Sequence, residues 1–215
     1  MRLFTISFIA IACLFSGLNT ISAQEVSNDF SKTYIAYNNA YSRGNYPRAA
    51  ELAQKSLEMA KKELGPEHEK VAIMEINLAH VLIIVRKIDE AEKILASARK
   101  KILKKHGADH NSMLTIHEDQ AKIYASKKEL DKSRKELDKA IAIITKKSGA
   151  DDPEIANYLI QQGSIDVALN KPELAQQDYE KALAILEKKY GKNSVGTATT
   201  ISALGDVEMM RSEER

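Results

Sequence analysis

Gly65-Pro66-Glu67-His68 is followed by Gly107-Ala108-Asp109-His110, Gly149-Ala150-Asp151-Asp152 and Gly191-Lys192-Asn193-Ser194, each beginning 42 residues after the last. A fixed period of this size is the mark of a repeat array, in which each unit is one supersecondary element. The turn itself has a physical reading. Glycine closes one helix in the left-handed conformation that other residues avoid, and Asp152 or Ser194 accepts hydrogen bonds from the free N–H groups that open the next. His68 and His110 occupy that capping position in successive units, which gives them a structural role.

Stacking the chain on this period separates packing from chemistry. Ala79, Ala121, Gly163 and Gly205 form a column of small residues. Ala49, Ala91, Ser133 and Ala175 form a second, and Ser56, Ala98, Ala140 and Ala182 a third. Small side chains let two helices approach at the near end of the usual ~8–10 Å. Large apolar columns alternate with them, such as Val81/Ile123/Ile165/Val207, at helical spacing.

Each repeat therefore reads as two antiparallel helices. The first helices are predicted over 28–43, 69–86, 111–127, 153–169 and 195–212. The second are predicted over 46–64, 88–105, 130–147 and 172–190. Pro47, Pro153 and Pro172 fall in first turns, where a missing N–H costs nothing, and Pro66 lies in a turn. Nothing in the chain calls for a strand.

The ends and the composition bound the rest. Arg2, the apolar run Leu3 to Phe15 and the exit Ile21-Ser22-Ala23 describe a secretory signal peptide over residues 1–23, with a short linker at 24–27. Ala10-Ile11-Ala12-Cys13 loosely resembles a lipobox, but greasy residues flank it on both sides, and cleavage after Ala23 is the reading adopted. No membrane span then remains. Cys13 is the one cysteine in the chain, so the mature protein has no thiol for disulfides, nucleophilic catalysis or metal binding. The 32 basic and 30 acidic residues nearly cancel, which gives no overall pull toward nucleic acid.

Gly44-Asn45-Tyr46 followed by Ala49, together with the small columns, resembles the tetratricopeptide repeat (TPR). The longer period and the Leu64-Gly65-Pro66-Glu67-His68 turn are similar to the kinesin-light-chain form of that repeat. The resemblance runs from residue 28 to 212. It implies an all-α, right-handed solenoid of four repeats, 28–68, 69–110, 111–152 and 153–194, plus a capping helix at 195–212. Tyr37 departs from the small column, and Pro172 from the residue usual at its corner. The last helix, ending Arg211-Ser212-Glu213-Glu214-Arg215, reads as a solvating cap.

In the family, first helices line a concave groove that holds peptides or partner segments. Columns whose chemistry changes between repeats are the informative ones here, because packing does not dictate them. They give as candidate groove residues Tyr34, Asn38, Tyr41, Ile73, Ile76, Asn77, His80, Ile83, Glu118, Lys122 and Ile160. Two readings stand for the helix carrying Val81-Leu82-Ile83-Ile84-Val85, which is apolar beyond one face: wholly buried, or open to a partner. The cationic clamp that some family members use for a C-terminal carboxylate is missing, since its positions read Tyr34, Asn38, Asn77, Thr115 and Asp119.

Catalysis and metal chemistry find no support. No Ser/His/Asp set or phosphate-cradling glycine loop is present, and His117-Glu118-Asp119 lacks the second histidine of a zinc-protease helix. Gly107 separates His106 from His110, which argues that they do not share a helical face. No cofactor and no metal is expected. Basic clusters such as Arg99-Lys100-Lys101 fall on second helices interleaved with acids and read as solvated surface; an anionic-ligand patch is the alternative. The expectation is an exported, periplasmic or secreted, non-catalytic scaffold that binds another protein or peptide segment. The alternative is a receptor for a small ligand or short peptide. The sequence does not fix the partner or the oligomeric state.

Overall fold

The computed structural model describes residues 27–213; the predicted signal peptide lies outside them. Among the described residues there are nine α-helices and no strand. They are α1 (Asn28–Ser42), α2 (Tyr46–Leu64), α3 (Glu69–Ile84), α4 (Ile88–His106), α5 (Asn111–Ser126), α6 (Leu130–Ser148), α7 (Pro153–Ala168), α8 (Pro172–Tyr190) and α9 (Val195–Glu213). The fold is an all-α repeat solenoid.

The recurring turn does the work the sequence assigns to it. Gly149 ends α6 at φ 93° and ψ 168°, and its N–H donates to the Thr145 carbonyl. That backbone region is accessible to glycine and essentially to no other residue. It lies beyond the left-handed helical well expected from the sequence. Gly65, Gly107 and Gly191 repeat it, with φ between 81° and 84°. The next helix is then capped from the end of the same turn. Asp152 accepts from the Glu154 N–H at 2.9 Å, and Ser194 from that of Thr197 at 3.2 Å. The histidines serve in the same way: His68 Nδ1 accepts from Lys70 at 3.1 Å and His110 Nδ1 from Ser112 at 3.2 Å.

The corner inside each repeat uses a different device. Gly44, Arg86, Lys128 and Asn170, again 42 residues apart, all have positive φ, between 56° and 73°. Glycine and asparagine tolerate that conformation, whereas arginine and lysine carry a Cβ that crowds the carbonyl. Lys128 and Arg86 are both exposed. Lys128→Gly is expected to raise stability by about 1 kcal/mol, the relieved strain exceeding the entropy that glycine adds to the unfolded chain. Urea unfolding of Lys128→Gly beside Lys128→Ala checks this, because alanine retains the strain.

Helix contacts divide the chain into two units, one up to Met74 and one from Glu75. In the first, α1 packs on α2 through Phe30, Thr33 and Tyr37 against a face of Ala49, Leu52, Ala53, Ser56, Leu57 and Ala60. Ser27 caps α1 and is itself held by Glu63, which accepts from its N–H at 2.8 Å and its hydroxyl at 2.6 Å.

In the second unit, consecutive helices from α4 to α9 pack on one another. One apolar cluster joins Ala121, Leu137, Ala140 and Ile144 to Ile155, Leu159, Ala182 and Leu186; a smaller one joins Ala175 and Tyr179 to Val207. Buried ions run between the helices. Lys101 Nζ donates to both Glu75 oxygens at 2.8 Å, and Arg134 pairs with Asp166 at 2.9 Å and Asp178 at 2.7 Å. The last helix departs from the polar cap expected of it. Its exposed side carries Val195, Ile201 and Met209 as well as Asp206 and Glu208.

Candidate functional site

On α1, spacing of three or four residues builds an aromatic ladder. Phe30 stacks on Tyr34 at 6.2 Å between centroids, Tyr34 on Tyr37 at 5.7 Å, and Tyr37 meets Tyr41 at 6.2 Å. Tyr46 of α2 closes it edge-on to Tyr41 at 5.6 Å. Tyr37 is buried, while Tyr34, Asn38 and Tyr41 stay half-exposed, as does Ile73 on α3. Packing thus orders the rings and leaves their edges open to contact. Aromatic residues fixed in this way lose little entropy on binding, which suits them to interfaces.

In the second unit the candidate residues fall into two groups. Ile76, Asn77 and Ile83 are buried, at 3%, 7% and 8% exposure. Of the two readings left open for the apolar helix, the structure has the first: α3 is buried on nearly every side from Lys70 to Ile83. Those three positions are therefore core in this structure and do not lie open to a partner. His80, Glu118, Lys122 and Ile160 remain half-exposed.

His80, Glu118 and Lys122 converge on Asp119, which is wholly buried. His80 Nδ1 lies 2.8 Å from Asp119 Oδ1, and Lys122 Nζ lies 3.4 Å from the same oxygen and 2.7 Å from Glu118 Oε1. Asp119 Oδ2 accepts no hydrogen bond. Burial pushes the Asp119 carboxyl up, yet His80 and Lys122 outweigh it and hold the group below its ordinary value. Burial likewise lowers Lys122, but Asp119 and Glu118 keep it above the usual lysine range. The group is a fixed set of opposite charges whose outer members are a quarter exposed, resting on a carboxylate with one oxygen unsatisfied. Beside it on α7, burial raises Glu154, and Asp152 and Glu118 add to the effect.

A second charged cluster was not apparent from the sequence. Glu136 Oε2 accepts from Arg99 Nη2 at 2.8 Å and lies 2.6 Å from His117 Nδ1, while Oε1 accepts from Lys139 at 2.6 Å. A signal for it existed. The column Leu52/Ile94/Glu136/Asp178 turns from apolar to acidic, and both acids are buried opposite an arginine. His117, weighed from the sequence only as a metal ligand, is a buried member of this network. His106 and His110 also differ from expectation: the turn at Gly107 folds the second ring back, and the two stack at 4.3 Å. No helix among the described residues is long and apolar enough to cross a membrane.

The architecture has known counterparts. BtubC (BKLC) from P. vanneervenii superposes with a TM-score of 0.73 at 18% identity, over 85% of this chain and 72% of that one. A putative kinesin light chain from Podosopora anserina, with nearly identical TPR-like repeats, gives 0.73 at 17%, over 86% and 88%. A tetratricopeptide repeat protein from Parabacteroides merdae gives 0.58 at 21%, over 87% and 62%. No curated protein matches the sequence. At these identities the superpositions establish a shared fold with kinesin-light-chain-like repeats. The tetratricopeptide repeat pattern itself matches residues 33–100 and 112–188, and with the register of turns and helices it places the chain in the tetratricopeptide repeat family.

Proposed function

We propose that this chain is an exported, non-catalytic scaffold that grips a segment of another protein on the face formed by its first helices. Repeat folds of this family serve as protein-interaction scaffolds, and no unit acts alone, because each hides its apolar side only against its neighbours. The observation that carries the reading is the Asp119 cluster. A buried ion cluster seldom adds net stability, since desolvation offsets the attraction. One whose outer members stay a quarter exposed, on a face where neighbouring repeats carry different residues, favours a use beyond packing. In the first unit, Tyr34, Asn38, Tyr41 and Ile73 supply aromatic, amide and apolar contacts for the same purpose. Export rests on the leader-like Met1–Ala23, and the envelope is the setting we propose.

A photocrosslinking amino acid at Lys122 or Tyr34, and at Lys181 on a second helix as control, tests this in the native cell. Discrete protein adducts are expected from the first two positions and none from Lys181. Glu118→Lys is expected to weaken capture about tenfold or more by placing two cations side by side. Equal labelling from Lys181 would remove the assignment to the first-helix face. A thermal shift with small molecules, in the absence of any adduct, would favour a ligand receptor instead.

A further inference from the structure

One buried contact in the second unit carries more negative charge than its partners balance. Asp166, on the last turn of α7, is wholly buried, and Asp178 of α8 is 4% exposed. Both meet the same cation. Arg134 of α6 donates to Asp178 at 2.7 Å, and its Nη1 lies 2.9 Å from Asp166 Oδ2. The second approach is not aligned for a hydrogen bond, and neither Asp166 oxygen accepts one. In the other repeats the same position holds Ala40, Leu82 and Tyr124, so the packing there does not call for an acid.

Two carboxylates on one guanidinium leave a negative charge uncompensated, and a buried ion without hydrogen bonds is relieved most directly by taking up a proton. The neighbouring charges add to this. Asp138 on α6 also faces Arg134, and accepts from Gln162 of α7 at 2.6 Å. Asp206 on α9 faces Tyr179, next to Asp178 on α8. The other cation nearby, Lys171, is shared with Asp131 at 3.1 Å. Burial pushes the Asp166 carboxyl above its ordinary value and Asp178 adds to the rise, outweighing Arg134 and Lys171. The main chain makes that charge matter, because the Asp166 carbonyl accepts from the Lys171 N–H at 2.8 Å and so closes the corner between α7 and α8.

We propose that Asp166 and Asp178 form a proton-operated latch on the fourth repeat. With one proton held between the two carboxyls, their remaining charge balances Arg134 and the α7–α8 corner sits tight on α6. As the pH rises the proton leaves, an excess negative charge is stranded in the core, and the corner opens more readily. A group that binds its proton more tightly when folded stabilises the fold below its unfolded value, and that contribution is lost as pH rises through the folded one. The latch does not depend on what the first-helix face binds.

Urea unfolding of the wild-type protein and of Asp166→Asn between about pH 4 and about pH 8 tests this, since asparagine keeps the shape and cannot ionise. The variant should gain on the wild type as pH rises, by several-fold in the folding equilibrium constant. Protection of the Lys171 amide from hydrogen exchange should fall over the same range in the wild type alone. Other titrating groups, Glu136 among them, are common to both proteins and drop out of the comparison. Carboxyl carbon shifts read the wild type directly: Asp166 should titrate above the ordinary aspartate range, with the Asp178 signal moving in the same step. Asp178→Asn should bring Asp166 back toward that range. A gap between wild type and Asp166→Asn that stays constant with pH would overturn the proposal. So would an Asp166 carboxyl that titrates at or below the ordinary aspartate value.

Discussion

Glu136→Gln is expected to cost about 3 kcal/mol of stability at neutral pH and almost nothing near pH 2. Burial alone would raise this carboxyl, but hydrogen bonds from His117, Lys139 and Arg99 outweigh it and bring the group from 4.5 down to about 2. A depressed folded-state pKa stabilises the fold above the unfolded value and loses that contribution as pH falls through the folded one. The window is therefore from about pH 4.5 down to about pH 2. Each tenfold change in proton affinity is worth ~1.4 kcal/mol, which sets the size of the effect. Urea unfolding of both proteins at several pH values measures it directly. The two stability curves should converge as the solution is acidified, and a gap that stayed constant down to pH 2 would show that Glu136 acts through packing rather than charge. Lys139 is half exposed and can turn to water when its partner is lost. His117, which is buried, cannot do so, which is why the change costs more than a surface ion pair would.

How much of this was legible beforehand depends on how local each feature is. Gly149 and its equivalents announce themselves, because one residue type satisfies that backbone and the period repeats it. His68 and His110 as caps follow from the same turn. Burial of α3 was not legible in the same way. A helix apolar on all sides has no preferred face, so periodicity cannot say what covers Ile76 or Ile83. The ion clusters were harder still. His80 and Asp119 are 39 residues apart and Arg99 and Glu136 are 37 apart, so only a window of nearly a whole repeat contains both partners. The stacking of His106 on His110 is hidden for a different reason: a helix break reads as a separation, yet the turn it creates brings the rings together.

Gly163 and Tyr179 show what a second offset adds to the first. A Cβ at Gly163 would lie 2.6 Å from Tyr179 Cε1 and under 3 Å from two further ring atoms. The ring has little freedom to retreat, since Tyr179 is 4% exposed and its hydroxyl lies 3.1 Å from Ser164 Oγ. Sixteen residues separate the pair, and the same offset gives Tyr37/Ala53, Ala79/Leu95 and Ala121/Leu137 in the other repeats. A large residue on one helix is matched each time by a small one on the other, and every one of these residues is buried. Tyr37 thus ceases to be an exception in the small column: in that repeat Ala53 is the small member. Gly163→Ala should therefore destabilise by about 2 kcal/mol, overpacking outweighing the ~1 kcal/mol that alanine gains in a helix interior. Tyr179→Leu alone should cost about as much, because it leaves a gap beside a glycine. The double variant recreates the Ala121/Leu137 pair and should recover most of the loss, a coupling of about 2 kcal/mol in a double-mutant cycle. Simple additivity would mean that the two helices yield at this contact, and that volume matching at the sixteen-residue offset does not set how closely each pair packs.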